Sequence, residues 1–87
     1  MTPDENRLKK LKIRSWRRGT KEMDLFFGRF ADTHLVELQT DDLNAFEALL
    51  MEEDPKIMSW VTEQEETPAH HKAMVDRLRS FAINQKF

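Results

Sequence analysis

The chain has 87 residues, 39% of them hydrophobic, with 14 Lys/Arg against 16 Asp/Glu and a formal net charge of −2. It has no Cys, and Gly and Pro are scarce, which excludes a disulfide scaffold, a thiolate metal site and a low-complexity chain. No stretch approaches the ~20 apolar residues of a membrane span, and the acidic start Met1–Asn6 has no secretory pattern. The charge is uneven. Residues 1–22 carry a balance of +5 and residues 23–87 a balance of −7, so a basic end and an acidic body are expected.

The elements follow in chain order. The first helix is predicted over about residues 3–18. Thr2 is its N-cap, Pro3 suits the first turn and Glu5 completes a capping box. Leu8, Leu11 and Ser15 or Trp16 line one face, Ile13 lies off it, and Gly19 stands where a C-terminal cap belongs. The second helix covers about residues 20–32. Met23, Phe26, Phe27, Phe30 and Ala31 recur with a period near 3.6, so this helix is expected to be the most buried, and Gly28 implies close helix packing. Residues 33–41 connect, with Leu35, Val36 and Leu38 suited to a short turn of helix.

Thr40 then caps a helix to about residue 52, with Asp41 and Asp42 in its first turn and Leu43, Phe46, Leu49 and Leu50 as its apolar face. Asp54-Pro55 caps and opens a fourth helix carrying Ile57, Trp60 and Val61. Thr67-Pro68 opens a fifth, which bears Met74, Val75, Leu78, Phe81 and Ala82 and frays over residues 84–87. No segment alternates as a strand would. The expected fold is all-α, a compact five-helix bundle forming a single domain over residues 1–87.

The segment Arg14-Ser15-Trp16-Arg17-Arg18-Gly19-Thr20-Lys21-Glu22 gathers four basic residues at a helix junction. It reads as a solvated basic helix end or as a recognition surface of guanidinium forks, with Trp16 as rigid contact area or as ordinary core packing. Glu22 suits the positive end of the second helix and is placed to pair with Arg18 across the turn. The basic end also admits a small nucleic-acid-binding fold, but Glu22, Asp24 and Asp32 make the second helix acidic and the whole chain is net acidic, so no nucleic acid is expected.

His70 and His71 are adjacent, about 100° apart on a helix, which makes them poor joint ligands, and no HExxH spacing exists; no metal is expected. The acidic run Glu63, Glu65 and Glu66 reads as a solvated face. No catalytic constellation is visible, so a catalytic role is not expected.

From Arg14 through Leu25, and on through Gly28-Arg29-Phe30-Ala31-Asp32, the chain resembles the succinate dehydrogenase flavinylation factors, the assembly factor 2 family of mitochondria. The family's mark, Arg-Gly followed by two free positions and Glu, is matched by Arg18-Gly19-Thr20-Lys21-Glu22. Phe46-Glu47-Ala48-Leu49-Leu50, Asp54-Pro55 and Trp60 agree in outline, so the resemblance covers most of residues 7–61.

The resemblance implies a five-helix fold and a chaperone-like factor that is no enzyme. Such a factor binds the flavoprotein subunit of succinate dehydrogenase, or in some bacteria of fumarate reductase, and promotes covalent attachment of FAD to a His of that partner. No cofactor would be held stably by the factor itself. The implied partner-binding set is Arg18, Gly19 and Glu22, flanked by Arg14, Trp16, Arg17, Lys21 and Asp24. The alternative is the antitoxin half of a toxin pair, a description also given to members of this family in some bacteria. The start at Met1 lacks an Arg-rich transit peptide, so a bacterial cytoplasmic protein is expected, or a mitochondrial matrix protein if the chain is processed. Two departures from the family pattern stand out. Phe26 and Phe27 replace Leu, a core change, and Thr62-Glu63-Gln64 replaces a segment with Gly shortly after the Trp, where a different turn is expected.

Overall fold

The structure is a computed structural model and describes residues 3–84. It is all-α: five helices and a short 3-10 turn, with no strand among the described residues. The helices are α1 (Pro3–Ser15), α2 (Lys21–His34), α3 (Thr40–Leu50), α4 (Asp54–Val61) and α5 (Ala69–Asn84), and the 3-10 turn is Leu35–Glu37. Thr2 and residues 85–87, expected as a cap and as a frayed end, lie outside the described residues. The contacts gather into two units, Met1–Gln39 and Thr40–Phe87.

In the first unit, α1 packs on α2 and on the 3-10 turn. Thr20 begins α2: its backbone is extended and its hydroxyl oxygen accepts the Met23 N–H at 3.2 Å. Every apolar position expected on α2 is buried, with Phe27, Phe30 and Ala31 at 0% exposure, and α2 carries more buried residues than any other helix among those described. Phe26 and Phe27 meet edge to face, ring centroids 5.3 Å apart. Each buried Phe contributes about 1.5–3 kcal/mol by burial. Leu35 is fully buried in the 3-10 turn, whereas Val36 faces out.

α1 contributes Leu11 and Ser15, both buried, while Ile13 is exposed, as its position off the apolar face requires. α1 ends sooner than predicted, at Ser15 rather than near Arg18. The Ser15 hydroxyl donates back to Leu11 O at 2.7 Å. The Trp16 N–H is shared between Lys12 O and Ile13 O, and Arg17 N donates to Arg14 O, a tightening typical of a closing turn. Gly19 is therefore not the helix cap; it lies in the connection, with φ +118°.

In the second unit, α5 packs against α3 and α4. Phe46, Leu49 and Leu50 of α3, Ile57 and Trp60 of α4, and Met74, Val75, Leu78 and Phe81 of α5 are buried. α4 begins one residue earlier than predicted: Glu53 is its N-cap, without a side-chain cap bond, and Asp54 is already helical ahead of Pro55. α4 ends in a Schellman motif, in which Gln64 N donates to Ser59 O (2.9 Å) and Glu63 N to Trp60 O (3.2 Å). Glu63 takes the left-handed position at φ 62°, where glycine is usual. Arg79 of α5 closes this end, donating to Trp60 O (2.8 Å) and Val61 O (3.0 Å) while pairing with Asp76.

Candidate functional site

The α1–α2 junction is held by one carboxylate. Asp24, in the first turns of α2, accepts the Arg18 N–H at 2.6 Å and the Gly19 N–H at 3.2 Å on the same Oδ1. Successive N–H groups converging on one anion make a small backbone nest, which the positive φ of Gly19 permits. The carboxylate takes up two N–H groups of the connection after α1, and it fixes the direction in which residues 17–22 face. Asp24 is thus a positioning residue for the Arg-Gly pair.

Arg18 does not pair with Glu22. Its guanidinium lies over the Phe27 ring, 5.1 Å from the centroid, in cation–π contact. Glu22 is exposed and makes no hydrogen bond or ion pair with a described residue. Arg17 and Lys21, also exposed, have no side-chain partner among the described residues. Arg14 is half-buried on the last turn of α1.

Trp16 serves packing and surface together. The indole rests on Gly28, where an added Cβ would overlap its ring carbons, and Nε1 donates to Asp32 Oδ2 at 3.2 Å. It nevertheless remains 37% exposed. Gly28 is therefore the close-packing glycine its place in α2 suggested, and the surface that approaches it is an aromatic side chain.

Trp16, Arg17, Gly19, Thr20, Lys21, Asp24 and Leu25 line an open depression of about 530 Å³. The structure thus brings five of the eight candidate residues to one concavity and leaves Arg14, Arg18 and Glu22 outside its lining. Sequence reasoning missed three residues here. Thr20 was legible as an N-cap, being a Thr directly before a charged first turn. Leu25 and Asp32 carried no signal, because their roles depend on where the Trp16 ring lies. A positive pair, a lone carboxylate, an amphipathic ring and a rigid turn are equipment for holding another surface.

Outside this junction, His34 contacts Glu37 at 3.2 Å. The rings of His70 and His71 converge, with centroids 4.0 Å apart. The 100° step between adjacent helical positions thus does not separate these two side chains.

The profile of the family described as "Flavinator of succinate dehydrogenase" (Sdh5) matches residues 9–82. The chain is 34% identical over 70 residues to "Succinate dehydrogenase assembly factor 2, mitochondrial" of Dictyostelium discoideum, covering 80% of this chain and 50% of that protein. It is 39% identical over 66 residues to "FAD assembly factor SdhE" of Colwellia psychrerythraea, covering 69% and 72%. With the Legionella pneumophila (strain Paris) factor of the same name it shares 30% over 76 residues, covering 87% and 96%. The chain thus spans about half of the Dictyostelium protein and nearly all of the Legionella one. The match runs through the junction and all five helices, and this chain belongs to the family of flavinators of succinate dehydrogenase, assembly factors that are not themselves enzymes.

Proposed function

We infer that this chain binds the flavoprotein subunit of a succinate dehydrogenase, or of a fumarate reductase, and promotes covalent attachment of FAD to a His of that subunit. The observation that carries this reading is the Asp24-anchored Arg18-Gly19 turn, which presents Arg17, Lys21 and Glu22 to solvent without side-chain partners among the described residues. Side chains left unpaired on a rigid turn keep their hydrogen-bonding capacity for another molecule and lose little freedom in using it.

The factor supplies no reacting group in this scheme. Its contribution is to favour the partner conformation in which the His and the flavin methyl group are in reach of each other. Binding energy spent on that arrangement speeds bond formation without a catalytic side chain on the factor. FAD stays with the partner.

The test combines capture and complementation. Untagged partner subunits recovered from lysate on the immobilised chain should include the flavoprotein. In cells lacking their native factor, the wild-type chain should restore covalent flavin on that subunit, read as in-gel fluorescence, and Glu22→Ala should restore far less. Full restoration by Glu22→Ala together with Arg18→Ala would overturn the assignment of the surface. Capture of a toxin-like protein without any flavoprotein would favour the antitoxin reading.

A further inference from the structure

With three His and no Cys in the chain, imidazole and carboxylate are the donors that suit a zinc-class ion here. Two of the three imidazoles meet a carboxylate in the second unit. His70 and His71 open α5, and Glu52 lies in the turn after α3. His71 is buried, 2% exposed, and its Nε2 lies 2.8 Å from Glu52 Oε2. The Trp60 ring stands against His71 with centroids 5.4 Å apart, which holds the imidazole in place. His71 Nδ1 is buried and has no hydrogen-bond partner among the described residues. One donor atom from each of Glu52, His70 and His71 lies within 4.8 Å of the others.

We propose that Glu52, His70 and His71 form a site for a zinc-class divalent cation, with water completing the coordination. Two imidazoles and one carboxylate are a donor set suited to zinc and its neighbours. Tetrahedral bonds of about 2.0–2.2 Å set donors about 3.3–3.6 Å apart. The Glu52–His71 pair, at 2.8 Å, must open slightly and His70 must close by at most about 1.5 Å. His70 is exposed and can make that adjustment by turning its side chain.

Two features set the strength. The start of α5 is the positive end of a helix dipole and disfavours a cation, so the Glu52 charge is as necessary as the imidazoles. A metal on His71 Nε2 leaves the ring proton on Nδ1, which is buried without an acceptor. The site therefore lacks the outer hydrogen bond that usually supports a ligand histidine, and micromolar affinity is expected.

The experiment uses the full chain without a histidine tag, titrated with Zn²⁺ alone by calorimetry and with Co²⁺ alone by visible absorption. One ion per chain should bind, with a cobalt ligand-field band. His70→Ala, at an exposed position, should weaken binding at least about tenfold with unchanged circular dichroism, and Glu52→Gln should do the same. His34→Ala should bind as wild type does. Three results would overturn the proposal: no saturable binding up to about 100 µM metal, His70→Ala binding as tightly as wild type, or half an ion per chain, which means bridging between molecules.

Discussion

Replacing Asp24 separates the making of the contact surface from the contact itself. Asp24→Ala removes the acceptor of two backbone N–H groups, at 2.6 and 3.2 Å. Hydrogen bonds to a charged acceptor contribute about 1.5–3 kcal/mol each when well shielded. Here one is part-buried and the other exposed, and both N–H groups regain water once the turn opens, so the total is about 2 kcal/mol rather than twice the upper value. In a chain of this length that corresponds to a fall in melting temperature of roughly 10 °C. Asp24→Asn keeps a carbonyl oxygen that still accepts, but loses the charge that suits the start of α2, and should cost about half as much. The assay pairs thermal melting with capture of the flavoprotein subunit at a temperature where every variant is folded. Asp24→Ala should bind weakly even when fully folded, since Arg18 and Gly19 are no longer presented in one orientation, and Asp24→Asn should fall between it and wild type. An Asp24→Ala chain with wild-type melting and wild-type capture would refute the positioning role.

Glu22→Ala should change stability by no more than about 0.5 kcal/mol while lowering partner capture sharply; a melting loss equal to that of Asp24→Ala would show that Glu22 is a folding element. Arg18→Ala is less clean, because losing the guanidinium over Phe27 costs about 0.5–1 kcal/mol of its own. Gly28→Ala sets a gain of about 1 kcal/mol in helix propensity against about 1–3 kcal/mol of overpacking on Trp16. The expected net is a loss, with Trp16 emission shifting to the red and buried Trp60 unaffected; a stabilised variant with unchanged emission would contradict it. Phe30→Ala, at a fully buried position, should cost about 3–5 kcal/mol in urea unfolding, and a cost near zero would place Phe30 outside the core.

The parts of the fold legible in the sequence are those governed by local periodicity. The Met23, Phe26, Phe27, Phe30 spacing located the buried face of α2, and Met74, Val75, Leu78, Phe81 that of α5, because a 3.6-residue period is a property of one helix alone. The end of α1 was not legible. Gly19 looked like its cap, but the groups that end the helix are the Ser15 hydroxyl and a carboxylate on the next helix, and capping rules read only the neighbouring residues. The Arg18–Glu22 pair failed for a similar reason: spacing allows it, while in the fold the guanidinium lies over the Phe27 ring. At the junction the basic and acidic residues were visible, but the division between those that hold the turn and those that face outward was not. Asp24 and Glu22 are the same chemistry two residues apart, and only the path of the backbone assigns one inward and one outward.

The missing glycine after α4 has a consequence for the order in which this part of the chain becomes structured. Glu63 adopts a backbone conformation that costs an L-residue about 1–2 kcal/mol, and Arg79 of α5 donates to the carbonyls of Trp60 and Val61 beside it, the first of which also accepts the Glu63 N–H. The turn is thus secured by a side chain that arrives only when α5 is in place. The local Schellman bonds hold the Ser59 and Trp60 carbonyls, while Arg79 meets the Val61 carbonyl, so α4's last turn, the loop over residues 62–68 and the middle of α5 should open and close as a single cooperative event. Amide hydrogens of Thr62, Glu63 and Gln64 would then share one opening free energy with those around Leu78, and slackening the clasp with Arg79→Lys would speed their exchange together.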